Sequence, residues 1–227
     1  MGKVANIDTN LQGQKLGKKG KITRERILSV ARELIEDRES EFSLSAVARK
    51  ADLRMSSLYN YFSDVTDLFL AVLQPVADEA EEAYNSLLRE PWPEDEIEAR
   101  AEQLVNAFHA YWQRNSRMLH LRNRMADLHE KRVLLQRIAM ARRIVRLLGR
   151  QMGGEPGEVT GPAYDMASVL YTGLERVVTI ATDEDLKELY PANIKPRFEG
   201  KTLKQEARLM ALVIAAERRR KQTRDAA

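Results

Sequence analysis

The stretch that most constrains the fold runs from residue 42 to residue 68 and reads FSLSAVARKADLRMSSLYNYFSDVTDL. Ser43 can cap a two-turn helix, and a tight turn follows at residues 52–54. A second short helix is predicted over about residues 55–62, where Leu58 and Phe62, at positions i and i+4, face the core. Two short helices joined by a tight turn predict a helix-turn-helix.

The second helix of this motif has an unusual outward face. With Leu58 and Phe62 turned inward, its remaining side chains are two hydroxyls, an amide and two phenols: Ser56, Ser57, Tyr59, Asn60 and Tyr61. These groups form hydrogen bonds without carrying a fixed charge, which suits contacts to phosphates and base edges. This face therefore predicts a nucleic-acid contact, and the alternative for either tyrosine is plain packing against the first helix.

The rest of the chain reads as helical throughout. Of 227 residues, 44% are hydrophobic and 31% charged, and the 11 glycines and 7 prolines leave long segments rich in Ala, Leu, Arg and Glu. This composition is typical of a globular all-α protein. The sequence has no cysteine, no run of 18 apolar residues and no apolar secretory segment, so we expect a cytoplasmic protein without disulfides or a membrane span.

The net charge of +3 says little about partners, but its distribution is uneven. Residues 1–22 contain five lysines and one aspartate, which predicts a disordered basic arm. Directly before a DNA-reading module, such an arm can contact phosphates. We expect these contacts from Lys18, Lys19 and Lys21.

The first helix is predicted over about residues 23–37. Thr23 is a suitable N-cap, and Ile22 and Ile27 occupy the positions of a hydrophobic staple. Arg24 falls beside the apolar stripe of this helix. A fourth helix is predicted over about residues 64–89, interrupted by Pro75, which suggests either a tolerated kink or a hinge.

Five further helices complete the predicted body. They span about residues 94–115, a segment capped by Ser116, residues 130–152 with Val133, Leu134, Ile138, Val145 and Leu148 on the inward face, residues 162–181, and a last helix that starts at the Thr202–Gln205 capping box. A short helical turn is also expected after residue 183. The basic tail after Glu217 is expected to be frayed and solvated.

Residues 23–73 resemble the DNA-binding domain of the tetracycline-repressor (TetR) family of transcriptional regulators. The resemblance rests on AREL at residues 31–34, SLSAVARKA at residues 43–51, SSLYNYF at residues 56–62, and the Asp67–Leu68 pair. It implies an all-α fold of about nine helices. A basic arm (residues 1–22) would precede the three-helix DNA-binding domain (residues 23–68), and a ligand-binding and dimerisation domain would follow (residues 69–227).

The resemblance also implies roles for particular residues. Phosphate contacts fall on Ser43 or Ser45, Ser57, Tyr59 and Tyr61, and base-edge contacts on Arg54, Met55, Ser56 and Asn60. Four features depart from the family pattern. The glycine common after the first helix is missing from residues 38–41. Asp52 replaces the usual turn glycine, Arg54 replaces a capping serine, and Val65 or Thr66 replaces a phosphate-binding lysine, which puts the details of the DNA contact in question.

In the family, the last two long helices form a dimer interface and the body holds a small-molecule pocket. The corresponding interface residues here are Met166, Leu170, Leu174, Val177, Leu209 and Val213. The corresponding pocket residues are Phe108, His109, Tyr111, Trp112, Met125 and Tyr171, which would suit a small, largely apolar effector. The alternative for each pocket residue is ordinary core packing.

We find no sequence pattern for an enzyme, a metal site or a cofactor. His109, His120 and His129 lack metal-ligand spacing, and phosphate-binding glycine loops and nucleophile elbows are absent. The expected function is a ligand-responsive repressor that binds a palindromic operator in double-stranded DNA as a homodimer and is released by its effector. The alternative is a helical adaptor or small-molecule-binding protein that does not read DNA.

Overall fold

The computed structural model describes residues 15–155, 160–189, 191 and 197–226, and within these ranges the protein is all-α. Ten helices are present where about nine were predicted. In chain order they are α1 (Lys18–Glu36), α2 (Leu44–Lys50), α3 (Met55–Leu58), α4 (Val65–Ala83), α5 (Ile97–Arg114), α6 (Ser116–Asp127), α7 (Lys131–Gln151), α8 (Pro162–Thr182), α9 (Glu184–Leu189) and α10 (Leu203–Asp225). None of them is both long and apolar enough to cross a membrane.

Helix α1 packs against α2 and α4, and α2 packs against α3. Leu58 and Phe62 are fully buried in this small bundle, as their i, i+4 spacing predicts. The Ser43 hydroxyl caps α2 by accepting a hydrogen bond from the Ala46 N–H at 3.2 Å. Asp52 adopts φ +50°, so it takes the left-handed conformation of the turn that a glycine would adopt with less strain.

The predicted start of α1 is wrong. The helix begins at Lys18, after the extended residue Gly17, and the Thr23 hydroxyl donates to the Lys19 carbonyl inside the helix instead of capping it. Ile22 is 61% exposed, so the hydrophobic staple does not form. Lysine is a good helix former, so Lys18, Lys19 and Lys21 favour a helix upstream of the predicted cap, in spite of Gly20. The predicted basic arm is therefore helical from Lys18.

The connection between α4 and α5 is folded into the core. The helix stops at Ala83, earlier than predicted, and a 3₁₀ helix follows at Asn85–Leu88. Trp92 is buried, with its indole N–H donating to the Leu87 carbonyl at 2.8 Å and its backbone N–H donating to the side chain of Gln151 at 2.9 Å.

Pro75 lies inside α4, and the Tyr111 hydroxyl on α5 donates to the Val76 carbonyl at 2.9 Å. Burial raises the pKa of Tyr111, so this phenol stays protonated and remains a donor. The kink and the hinge at Pro75 stay predictions.

Helices α5 to α8 and α10 form the body, in which α10 packs against α5 and α8, and α7 packs against α6 and α8. Leu134 and Ile138 on α7 are exposed, against the prediction. Val133, Val145 and Leu148 are buried as predicted, together with Ile144. Periodicity identified an apolar side of this helix but could not place the neighbours that cover it.

The basic tail is ordered, which also contradicts the prediction. Helix α10 runs to Asp225. The Arg218 guanidinium donates to the Trp92 carbonyl at 2.8 Å and to the Gln151 carbonyl at 2.7 Å. The Lys221 ammonium donates to the Gly153 carbonyl at 2.8 Å. These main-chain acceptors, supplied by distant parts of the chain, hold the end of the helix against the body.

Two predicted caps are not formed as expected. Ser116 is the first residue of α6 rather than its cap, and its hydroxyl donates to the Thr182 carbonyl at 2.9 Å. A π-helical turn at Arg197–Thr202 leads into α10, so Thr202 already has helical backbone angles and its side chain does not cap α10. The connection predicted around Pro196 lies outside the described residues.

Candidate DNA-contacting surface

The turn and α3 position the predicted contact residues. Arg54 has extended backbone angles and stands immediately before α3, which is one turn long. Hydrogen bonds then continue past the helix, from the Tyr61 N–H and the Phe62 N–H to the Leu58 carbonyl at 2.9 and 3.1 Å. Residues 55–62 therefore form a continuous helical segment in which only the first turn is regular, a shorter helix than predicted.

The burial of Leu58 and Phe62 decides which side chains of this segment face outward. Those that face solvent are Arg54, Ser56, Tyr59 and Asn60, whereas Met55, Ser57 and Tyr61 are half-buried. Tyr59 is 50% exposed, and Tyr61 packs against the hydrophobic core, so packing accounts for part of the Tyr61 side chain. The exposed groups form one polar surface across the outer side of α3.

Helices α1 and α2 contribute the remaining predicted contacts. Ser45 is exposed and its hydroxyl lies 3.0 Å from that of Ser43, which is engaged as the α2 cap. Of the two serines, Ser45 is therefore better placed to bind a phosphate. Lys18, Lys19 and Lys21 are exposed on the first turns of α1, where the helix holds their backbones in place.

Arg24 has a structural role that the sequence pattern did not predict. It is buried, and its guanidinium carbon lies 5.4 Å from the centre of the Phe62 ring. A cation held over an aromatic face is stabilised by the ring quadrupole. Arg24 thereby links α1 to the end of the contact segment. Its position one turn before the buried Ile27 was a usable signal, because residues three apart lie on one helix face.

A polar bridge joins this small bundle to the body. It consists of Asp64 and Thr66 at the start of α4, and Glu130 and Arg132 at the start of α7. The Arg132 guanidinium pairs with the Asp64 carboxylate at 3.0 Å, and the buried Thr66 hydroxyl donates to Glu130 at 3.2 Å. Asp64 also caps α4 by accepting from the Asp67 N–H at 2.8 Å. The turn between α6 and α7 is thus attached to the helix that follows the contact surface.

The pKa of Asp64 reports on this bridge. Desolvation raises the pKa, but hydrogen bonds from Arg132 and from the Asp67 N–H, together with the Arg132 charge, outweigh it, so the pKa lies below the ordinary aspartate value. A lowered pKa means that the ionised carboxylate favours the folded state. That contribution is complete above about pH 4, the ordinary aspartate pKa, and is lost as the pH falls through the lower folded value.

We expect Asp64→Asn to lower the free energy of unfolding by up to about 1 kcal/mol at pH 7, because the ion pair is half-exposed. Asparagine still caps a helix, so the loss reports on the Arg132 pair. Urea denaturation between pH 3 and pH 7 should show a shallower acid dependence for the variant. Asp95→Asn, at an exposed site, is the control, and equal acid dependence of Asp64→Asn and the wild type would contradict the assignment.

The predicted pocket residues are packed against one another. Phe108, Tyr111 and Trp112 are buried, and the Phe108 ring lies 4.8 Å from Tyr84 and 6.2 Å from Tyr171. His109 and Met125 are half-buried. An open cleft of about 780 Å³ lies elsewhere, between the ends of α7 and α10 and the start of α8. The predicted residues are not among those that line it.

The predicted interface residues divide into two groups. Leu170 and Leu174 are buried within the chain, whereas Met166, Val177, Leu209 and Val213 keep exposed surface. Sequence reasoning missed Val169, 67% exposed, and Leu212, 57% exposed. Val169 lies three residues after Met166, so helical spacing could have identified it.

The histidines lie apart from the contact surface. The His120 ring is 3.2 Å from the Thr182 hydroxyl, and burial lowers its pKa. His129 has φ +65° in the turn between α6 and α7. Among the residues whose placement is described, no group of His, Asp and Glu side chains is arranged to hold a metal ion.

Comparison with known proteins finds a match to the amino-terminal part of the chain. A family model described as bacterial regulatory proteins of the tetR family matches residues 27–72, which span α1 to the first half of α4. No curated protein matches the sequence.

Solved structures match over most of the chain. A TetR-like transcriptional regulator from Rhodococcus sp. has a TM-score of 0.51 at 18% identity, covering 88% of this chain and 96% of its own. A TetR-family regulator from Mesorhizobium loti has a TM-score of 0.55 at 18% identity, covering 86% and 96%. A transcriptional regulator from Aquifex aeolicus has a TM-score of 0.52 at 18% identity, covering 83% and 99%. Residues 27–72 of the chain thus resemble the tetR family of bacterial regulatory proteins, and over most of its length the chain shares the fold of these solved structures.

Proposed function

We propose that this protein is a transcriptional repressor that binds a palindromic operator as a homodimer and releases it when a small effector binds the body. The observation that carries the proposal is the polar surface of α3. Arg54, Ser56, Tyr59 and Asn60 are exposed side by side above a buried Leu58, on a domain that matches a family of regulators. All four side chains can form hydrogen bonds to phosphates or base edges.

The proposed DNA contacts follow from the placement of each group. Arg54 stands at the start of α3, where a guanidinium that enters the major groove can bond bidentately to guanine. Tyr59, Ser57 and Ser45 present hydroxyls suited to phosphates. Lys18 and Lys19, on an ordered helix, add a sequence-independent attraction to the DNA backbone that falls with salt. These contacts compensate for the missing lysine at Val65.

The small bundle of α1 to α3, here called the head, reads only a half-site of the operator. The proposal therefore requires a second copy of the chain. Helices α8 and α10 carry adjoining apolar surfaces that include the exposed Val169, Leu209 and Leu212. The two helices meet where Gly173 faces Glu206. Pairing of these surfaces would join two heads, as half-sites about 34–36 Å apart demand.

The body can control the head through two features. The polar bridge ties the turn between α6 and α7 to the start of α4, and Tyr111 on α5 holds the carbonyl next to Pro75. An effector that favours a different arrangement of α6 and α7 would shift α4, and with it the spacing of the two heads. The factor by which the effector changes the DNA affinity is set by the ratio of the effector's affinities for the two arrangements.

We expect selection from random duplexes to yield a short inverted repeat, bound with a steep salt dependence. Arg54→Ala should then weaken binding to that repeat by about 1–3 kcal/mol for each guanine that the guanidinium no longer reads, and should relax specificity at one base pair of each half-site. Fluorescence anisotropy measures both effects. Arg146→Ala, the same charge change at an exposed site on α7, is the matched control and should bind as the wild type does.

Two results would count against the proposal. Equal affinity for every duplex would indicate charge attraction alone, and the absence of DNA binding at low salt would favour the helical adaptor. In contrast, a loss of affinity for Arg54→Ala that is identical on all sequences would place Arg54 on the phosphate backbone, and would assign base reading to the other exposed residues of α3.

A further inference from the structure

An unusual hydrogen-bonding arrangement lies between α6 and α7. The Nη1 group of Arg122 and the Nε2 group of Gln136 both donate to the Met140 sulfur, at 3.5 and 3.0 Å. A thioether is a weak acceptor for a guanidinium or an amide. The Gln136 Oε1 atom is buried and, within the described part of the chain, has no hydrogen-bond partner. The two donors therefore share one weak acceptor, the Met140 sulfur.

Two arginine side chains lie next to this point. Arg122 is 2% exposed, and its Nη2 lies 3.2 Å from Glu175 Oε1. The other oxygen of that carboxylate lies 3.1 Å from Arg137, which also pairs with the mostly exposed Asp127 at 3.3 Å. The Asn123 Oδ1 atom accepts from Arg122 Nε and Nη2, which leaves the Met140 sulfur as the acceptor for Nη1. An anion at this point would give Nη1 of the buried guanidinium a stronger, charged acceptor.

We propose that the carboxylate of an effector binds here, accepting hydrogen bonds from Arg122 Nη1 and Gln136 Nε2 in place of the Met140 sulfur. This inference rests on the proposed function and names the chemical class of its effector. An arginine pairs more strongly with a carboxylate than with any neutral acceptor. Methionine has three rotatable bonds, so the Met140 side chain can move aside at little cost.

The rest of the effector is expected to be apolar. The Trp112 ring lies 5.5 Å from the Arg122 guanidinium and packs against Phe108, so the surroundings of the charged group are aromatic. A carboxylate attached to a ring or a chain would place its charge on Arg122 and its apolar body beside Trp112. A neutral analogue of the same shape would lose the charged hydrogen bonds and leave both donors on sulfur.

The site lies close to the polar bridge. Arg122 is on α6, and Gln136 and Met140 are on α7, on either side of the turn that supplies Glu130 and Arg132 to α4. A carboxylate held between these helices changes their packing at the base of that turn. Binding is therefore positioned to loosen the contacts at Thr66 and to alter the operator affinity of the dimer.

The test uses the full chain with two probes, benzoate and dodecanoate. Each probe is compared with the primary alcohol of the same carbon skeleton, and with sodium chloride at the same ionic strength. Thermal unfolding should show a higher Tm with at least one carboxylate and no comparable shift with its alcohol. Gln136→Glu places a carboxylate next to Arg122, so it should weaken carboxylate binding at least about tenfold, measured by calorimetry. Gln113→Glu, the same change at an exposed site on α5, should bind as the wild type does.

The Met140→Leu variant tests whether the Met140 sulfur is itself needed for binding of the carboxylate. Leucine removes the sulfur but keeps a similar volume, so the variant should still bind the carboxylate. The inference is overturned if neither carboxylate raises the Tm above the chloride baseline, or if Gln136→Glu binds the probe as the wild type does. Operator binding without any probe is measured on the same samples. Its absence from the wild type would overturn the proposed function, independently of the result for the carboxylates.

Discussion

Replacing Glu175 with leucine is expected to lower the free energy of unfolding by about 3–5 kcal/mol, because it leaves the buried Arg122 without its carboxylate. Arg137 also loses a partner, at 3.1 Å, but its side chain reaches solvent and can be hydrated. Most of the cost therefore falls on Arg122. Urea denaturation at pH 7 measures the change.

The double variant Arg122→Leu with Glu175→Leu distinguishes the charge from the packing. Removal of both buried charges is often neutral or stabilising by comparison with removal of one. We expect the double variant to recover most of the lost stability. If it is as unstable as Glu175→Leu, the glutamate contributes through its shape and its contacts within α8, and the ion pair is not the cause.

Charged residues on the exposed faces of α8 and α10 are expected to abolish dimerisation. Val169→Asp with Leu212→Asp would place carboxylates in an apolar contact, where an unpaired charge costs several kcal/mol. Loss of the dimer removes the second half-site contact, so affinity for an inverted repeat should fall by a factor of about 10²–10⁴. Sedimentation equilibrium measures the assembly, and anisotropy measures the affinity.

Leu134→Asp with Leu135→Asp is the matched control. These leucines are exposed on α7, away from the proposed interface, and the substitution adds the same charge. We expect this control to remain a dimer and to bind the repeat. A wild-type protein that is monomeric at micromolar concentration, or a Val169 and Leu212 variant that stays dimeric, would exclude α8 and α10 as the interface.

The head could be predicted from local signals. The i, i+4 pair Leu58 and Phe62, the Ser43 cap and the left-handed Asp52 turn all appear in the structure as predicted. Each depends on residues within a few positions of one another, so short-range backbone geometry is sufficient to place them. The exposed polar side chains of α3 then follow from the burial of that pair.

The surfaces of the body could not be predicted in the same way. The pattern placed Leu170 and Leu174 at an interface, but other helices of the same chain cover them, whereas Leu134 and Ile138 are uncovered. Helical periodicity identifies the apolar side of a helix. It does not state whether a neighbour in the same chain, a second copy or solvent faces that side.

The sequence alone determined that the chain is all-α, that residues 42–68 form a helix-turn-helix, and that Ser56, Tyr59 and Asn60 are exposed, whereas the predicted Ser57 and Tyr61 are half-buried. Only the tertiary structure decided that Arg24 packs on Phe62, that Arg132 reaches Asp64, and that Arg122 meets Glu175 beside Met140. The contact residues of the head are adjacent in sequence. The polar bridge joins side chains 64 and 68 positions apart, and the Arg122–Glu175 pair joins side chains 53 positions apart, so these contacts exist only once the helices have packed.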